Sequence, residues 1–463
     1  MVSPFAQANS GPFRHGAVNG WSKAPAHSHM PTAAACIRRC RFLLAVTAIK
    51  QQTFSQLWYN SKNNRLGESQ MTVLEKIHKK LDGLYPEMVE TRRYLHMHPE
   101  LSFKEVETAR YIADFYKNLG IRPREHVGGN GVVARVKGAK PGKTIALRAD
   151  FDALPIQEEN DVPYQSQVPG VMHACGHDGH TAALLMLAKA IHEVKNELEG
   201  EYVFIHQHAE EYAPGGAKAM IEDGCLEGVD AIFGTHLWAT VPVGHIQYRK
   251  GPFMAAADRF EVTIQGHGGH GAQPHLSKDA VVAGAQLVTN LQQVISRRIN
   301  PIRSAVLTVG SFSSGDAFNI IADTAKITGT VRTFDEDVRD RVEKEIERII
   351  QGTCLAADCT YDYHYFRGYP PVVNHEAETA FLADCAKEIE GVTNVEEVDP
   401  SMIGEDFAYY LQHVKGVFFF TGADPEKADP AYPHHHPRFD IHEKAMLIAA
   451  KTLGAAAIRY QNA

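Results

Sequence analysis

A chain of 463 residues, 44% hydrophobic and 22% charged, has the makeup of a soluble globular protein large enough for two domains. No window nears the roughly 18 uninterrupted apolar residues of a membrane-spanning helix. The net charge of −8 hides an asymmetry: residues 1–70 carry eight Lys/Arg against one acidic residue, so residues 71–463 carry −15, an acidic body that excludes nucleic acid as the partner.

The first 70 residues lack sustained periodicity and hold one short apolar stretch, Phe42 to Ile49. Their basic, acid-poor composition has something of a transit peptide. The stretch is short and lies more than 40 residues in, so the reading favoured is a disordered extension or an upstream-shifted start, with Met71 opening the functional chain. Seven cysteines, an odd number without a secreted-domain framework, read as reduced thiols in a cytoplasmic protein.

From Val73 to Tyr116 the pattern predicts two amphipathic helices, broken around His98-Pro99-Glu100. Apolar β-rich runs follow at 131–136, 144–149, 202–207 and 231–235, with a helix predicted over 181–198. Short buried strands alternating with helices predict an α/β domain with a largely parallel sheet. The middle of the chain changes rhythm: strand 259–265, helix 279–298, strands 304–312 and 324–334, helix 336–351, strand 359–366. That β-α-β-β-α-β order is a ferredoxin-like unit. The α/β pattern resumes with a helix at 376–389, a strand at 416–421 and a final helix near 442–460. The expected layout is a catalytic metal-binding domain from 71–254 and 370–463, interrupted by an inserted lid or dimerisation domain over 255–369.

Chemistry collects at the ends of the predicted strands. Asp150 and Asp152 share one side of a strand end, and two like charges so close need a cation nearby. Cys175 and His177 flank Gly176 just ahead of a helix, where a thiolate is stabilised and two donors can converge on one ion; His173, Asp178 and His180 surround them. Glu210 and Glu211 close the strand 202–207, so one carboxylate can hold metal while the other moves protons. His236 ends the next strand, and His434-His435-His436 offers a further imidazole. In the inserted unit the glycine-rich run 266–275 leaves His270 free to project, which suits transition-state stabilisation after closure. Asn319 and Arg332 are the residue types expected against an amide oxygen and a carboxylate.

Taken in order, His96-Met97-His98-Pro99-Glu100-Leu101-Ser102, Arg148–Pro155, His173–His180, Glu210-Glu211, His236, Gly268-Gly269-His270, Asn319, Gly404-Glu405-Asp406-Phe407 and His435-His436-Pro437 resemble the aminoacylase and hippurate hydrolase branch of the dinuclear-metal amidohydrolase/carboxypeptidase superfamily. That branch includes plant hydrolases of auxin–amino acid conjugates and bacterial N-acyl-amino acid deacylases, and the resemblance runs from Met71 to the C-terminus. It implies Cys175, His177, Glu211, His236 and His435 as ligands of two divalent ions (zinc, manganese, cobalt or nickel), with the Cys175 thiolate bridging. It implies Glu210 as general base and acid, Asp152 as the aspartate orienting a metal ligand, and His270 as the oxyanion stabiliser, supplied from the partner subunit of a homodimer. Asn319 and Arg332 would contact substrate. Much of the superfamily has His where Asp150 stands, and relatives usually carry Gln-Pro where this chain has Gln207-His208, so His208 either perturbs the site or packs. The activity implied is hydrolysis of N-acyl amino acids such as hippurate or N-acetyl amino acids. A metallo-dipeptidase or carboxypeptidase, or a non-catalytic metal-binding homologue, are the other readings.

Overall fold

The computed structural model describes residues 71–426 and 430–463; the extension expected over 1–70 lies outside them. Thr72 opens the first helix, Val73–Met97, with a capping box in which its side chain accepts from the Glu75 amide while the Glu75 carboxylate accepts from the Thr72 amide. A second helix, Val106–Asn118, follows the break at His98-Pro99. In chain order the strands are then β1 (Arg124–Val127), β2 (Gly131–Lys137), β3 (Lys140–Asp150), β4 (Glu199–Gln207), β5 (Ala231–Trp238), β6 (His245–Tyr248), β7 (Gly251–Met254), β8 (Ala256–Gln265), β9 (Gly269–His270), β10 (Ala305–Ser314), β11 (Ile320–Ile321), β12 (Thr324–Thr333), β13 (Thr360–Phe366), β14 (Val372–Asn374), β15 (Asn394–Glu397) and β16 (Lys415–Gly422).

Eight strands form one mixed sheet in the order β1-β2-β4-β3-β5-β16-β6-β15. Its centre, β4-β3-β5-β16, is parallel, and the β1-β2, β2-β4 and β16-β6 pairs are antiparallel. The sequence pattern anticipates the parallel centre. It misses the short β1, β6 and β15, whose four-residue lengths are too brief for periodicity to register. Side chains alternate across the central strands, so one strand feeds two cores. From β3, Ile145, Leu147 and Ala149 face the core shared with the helices Val73–Met97, His177–Val194 and Lys444–Arg459, while Ala146 joins the opposite core with Met220 and Phe407. Burial on both faces is why these strands are apolar almost throughout.

Between β7 and β14 the chain builds a second sheet, β10-β12-β8-β13, antiparallel throughout. The helices Ala280–Gln293 and Glu336–Ala356 cover it, with Leu287, Leu291, Val342 and Ile346 packed against Phe260, Val262, Ile264 and Ile327. This is the β-α-β-β-α-β order read from the sequence. The helix predicted over 279–298 is α-helical only to Gln293 and finishes as a π-turn through Arg298. Among the described residues no helix is long and apolar enough to cross a membrane.

Candidate metal centre

The carboxyl ends of β3, β4 and β5 deliver three segments to one edge of the large sheet, where open α/β sheets place their sites. The helix carrying His177 starts at that residue, four positions earlier than predicted. Gly176 makes the start possible by adopting a left-handed conformation (φ 93°) that a side chain would strain. Cys175 and His177 therefore straddle the helix N-terminus, both buried.

The hydrogen bonds decide which donor atoms are free. His177 Nδ1 lies 3.0 Å from the backbone oxygen of Asp152 and 3.2 Å from its Oδ1. A carbonyl can only accept, so Nδ1 carries a proton and Nε2 faces inward. That buried nitrogen has no hydrogen-bond partner. His236 repeats the arrangement: Nδ1 donates to the Leu237 carbonyl at 2.9 Å, and Nε2 sits 3.4 Å from Cys175 Sγ. Glu211 Oε1 is 3.2 Å from His435 Nε2 and 3.8 Å from His177 Nε2. Among the donor groups whose ligand atoms lie within 4.8 Å of one another are Cys175/His177/His236 and Cys175/Glu211/His435, with His177/Glu210/Glu211 between them. The first two share the thiol. All five residues named as metal ligands thus converge, and their two triads meet at the sulfur named as the bridge.

The electrostatics ask for positive charge. Burial alone would depress His177, but the carboxylates of Asp150, Asp152 and Glu211 outweigh it and carry the imidazole up to about 10. Burial, with Glu211 and Glu210 beside it, pushes the Cys175 thiol well above its ordinary value. Divalent cations would supply the missing charge and hold the sulfur as thiolate. Imidazole, thiolate and carboxylate donors together suit zinc and its first-row neighbours. The residues therefore fit a dinuclear metal group.

Asp152 is the hub behind the ligands. Its Oδ2 accepts from Ser102 Oγ at 2.7 Å and from the Glu211 amide at 3.0 Å, while Oδ1 faces His177. One carboxylate so aligns two candidate ligands, the kind of support that tunes metal affinity. Asp150, by contrast, is fully engaged. Arg148 Nη1 takes Oδ2 and His180 Nδ1 takes Oδ1 at 2.6 Å, while His180 Nε2 accepts from the Leu237 amide at 2.9 Å. The cation that the two aspartates require is, for Asp150, a buried arginine, and His180 has no nitrogen left to bind metal. Arg148 also meets Glu405 at 3.1 Å and Asp406 at 2.9 Å. Sequence reasoning passed over Arg148, although it stands two residues before Asp150 on the same strand face. Asp178 likewise turns away from the site, to Arg92 at 2.7 Å and His96 at 2.8 Å. His208 packs: its ring meets Phe103 edge-on at 5.9 Å and is buried.

A cavity of about 390 Å3 opens over the cluster. Glu210, Glu211, Cys175, His236 and His435 form its floor, and Trp238, Met254, Met402 and Ile403 an apolar wall. Glu210 is buried, and burial with the carboxylates of Glu405, Glu211 and Asp406 pushes its proton affinity well up. Arg332, on β12 of the small sheet, reaches this cavity; His270 and Asn319 do not line it. Those two sit together on the small β9-β11 ribbon and its approach, with the Gly271 amide on the Asn319 carbonyl at 2.9 Å, and both are exposed.

Comparisons with known proteins identify relatives of this chain. The profile of Peptidase family M20/M25/M40 matches residues 146–459. The amidohydrolase YhaA of Bacillus subtilis is 61% identical over 389 residues, 84% of this chain and 98% of that protein. An N-acetyl-L-cysteine deacetylase of the same organism is 42% identical, over 82% of this chain and 89% of its own. Among solved structures, the Bacillus subtilis YXEP protein, described as a dinuclear metal-binding peptidase, superposes with a TM-score of 0.71 at 34% identity, covering 82% of this chain and 99% of that one.

Proposed function

This chain belongs to Peptidase family M20/M25/M40, and from that premise we propose that it is a metal-dependent amidohydrolase releasing free amino acids from N-acyl amino acids. Relatives named amidohydrolase and N-acetyl-L-cysteine deacetylase support the amide-cleaving activity. The single observation that carries the reading is the pair of donor triads sharing Cys175 beneath a cavity, with the buried Glu210 carboxylate outside both of them and close to His177 and Glu211.

Cys175, His177 and His236 would hold one ion, and Cys175, Glu211 and His435 the other. Bound there, two divalent ions would supply Lewis acidity at the scissile carbonyl and lower the pKa of water toward neutrality. Glu210, free of the ligand triads that share Cys175, takes the proton from the attacking water and returns it to the departing amine. Asp152 keeps His177 and Glu211 aligned while the charges change. Arg332 stands across the cavity as the clamp for the substrate carboxylate, and the apolar wall receives the acyl group or side chain. His270 completes the site as oxyanion donor, with Asn319 beside it, when the small domain closes or a second subunit of a homodimer presents it.

The test is amine release from hippurate, several N-acetyl amino acids and a few dipeptides, after chelation and after add-back of zinc, manganese, cobalt or nickel. Metal-dependent cleavage of N-acyl amino acids in preference to dipeptides is the expected outcome. Preference for dipeptides would make the protein a peptidase, and absence of turnover with two ions bound would overturn the enzymatic reading.

A further inference from the structure

The segment that carries the two glutamates has an unusual backbone. Ala209 adopts a left-handed conformation (φ 54°), which a residue with a Cβ occupies only when its surroundings hold it there. Three side chains and one amide do the holding. Glu105 Oε1 accepts from the Ala209 amide at 2.8 Å, and the Gly216 amide donates to the Ala209 carbonyl at 3.1 Å. Asp152 takes the Glu211 amide. The last contact comes from elsewhere in the chain: Tyr369 Oη donates to the Glu210 carbonyl at 2.6 Å.

Tyr369 stands where the chain returns from the small sheet to the large one, between β13 and β14. Its own backbone is tied to the root of the small sheet. The Ala257 amide donates to the Tyr369 carbonyl at 3.1 Å, so the outgoing and returning strands of the connection are joined. They touch closely enough that a Cβ on Gly368 would fall 2.1 Å from the Ala257 oxygen. Beside them the buried Asp258 carboxylate receives Arg339 twice, at 2.6 and 2.9 Å, and the Gly368 amide at 3.0 Å. Arg339 in turn donates to the Gly368 carbonyl at 3.1 Å. The main chain of Tyr369 is therefore bound to the small sheet, whereas its hydroxyl is bound to the glutamate loop of the large one. Burial raises the phenol well above its ordinary value, which keeps it a donor across the working pH range.

We infer that Tyr369 is a positioning residue for Glu210, coupling the orientation of the inserted sheet to the placement of the proton-transferring carboxylate through the Glu210 carbonyl. This rests on the proposed role of Glu210. An adaptable link of this kind lets the closure that brings His270 to the substrate also set the base, instead of leaving two independent adjustments.

The experiment compares Tyr369→Phe, which removes only the hydroxyl, with Tyr409→Phe. Tyr409 packs edge-on against the Tyr369 ring at 6.3 Å, and its hydroxyl reaches only the Gly368 carbonyl at 3.5 Å. Each metal-loaded full-length variant is assayed on an N-acetyl amino acid, and amide hydrogen exchange is followed in the fragment spanning residues 208–216. For Tyr369→Phe the expected result is a fall in kcat of roughly fivefold to tenfold with KM and bound metal unchanged, together with faster exchange at the Ala209 and Glu211 amides. Tyr409→Phe should match the parent in both. Unchanged exchange, or unchanged kcat beside faster exchange, would overturn the inference. If the parent itself turns over no substrate, the amidohydrolase reading fails, and exchange alone then decides whether Tyr369 holds the loop.

Discussion

The floor of the cavity and the β9-β11 ribbon both carry candidate functional histidines, yet they are built on opposite principles. On the floor, His177 and His236 are buried, each with Nδ1 fixed by a carbonyl and Nε2 turned inward. Behind them Asp152 and the Arg148–Asp150–His180 chain leave little freedom. On the ribbon, His270 is exposed, and its Nδ1 accepts from the Ala272 amide at 3.1 Å. Glycines flank it on both sides. A group that binds a resident ion profits from a rigid, presatisfied surround, because each ligand atom must already stand in place. A group needed only at the transition state profits from access and from arriving by closure or docking. Burial and hydrogen-bond occupancy therefore set His177 and His236 apart from His270, a distinction composition cannot make, while His435 joins the cluster from the exposed rim.

The sharpest way to break this comparison lies within the floor itself. Glu210→Gln should lower kcat by about 10^3-fold, within the span of general acid–base catalysis, while both ions remain bound. Glu211→Gln should instead release metal. Elemental analysis beside steady-state kinetics separates the two, and metal loss from Glu210→Gln would assign that carboxylate to ligation. Next in size, His270→Ala should cost about 10^2-fold in kcat. Because the residue is exposed, metal content and melting temperature should match the parent to within ~0.5 kcal/mol of stability. A variant that melts early or loses metal would show the ribbon to be part of the resident framework after all.

The smallest effect concerns the support under the floor. His206, buried at the end of β4 with Nε2 2.8 Å from the Tyr116 hydroxyl, is held by burial down at about 3. In the unfolded chain it would titrate near 6.5. Between those values the unfolded state binds a proton that the folded state refuses. Stability from this group is thus complete above ~6.5 and is lost as pH falls toward ~3, by at most about 1.4 kcal/mol per pH unit. His206→Asn should flatten the decline of melting temperature between pH 6.5 and 4; a curve parallel to the parent's would show that His206 is not part of the acid response.

Much of this site was legible in the sequence because its parts are local. Cys175 and His177 lie two residues apart, Glu210 and Glu211 are adjacent, and His236 closes a strand whose apolar pattern announces its end. The small sheet was legible for the same reason, since its alternating strands and longer helices each span enough residues to show a period. The short edge strands β1 and β15 show none, and the role of Arg148 depends on Glu405 and Asp406, more than 250 residues away.

What the amino-acid order determined by itself was therefore the inventory: the donor types, the strand ends that bear them, and an inserted β-α-β-β-α-β unit. What only the tertiary structure decided was availability. His180 and His177 are three residues apart on one helix, yet the Leu237 amide occupies the remaining nitrogen of the first and leaves that of the second open. Tyr369, silent in the sequence, acquires meaning because the return strand lays its hydroxyl on the Glu210 carbonyl. The physical reason is common to both. A lone pair or proton is free or taken according to what packs against it, and in this fold that neighbour comes from a distant stretch of chain.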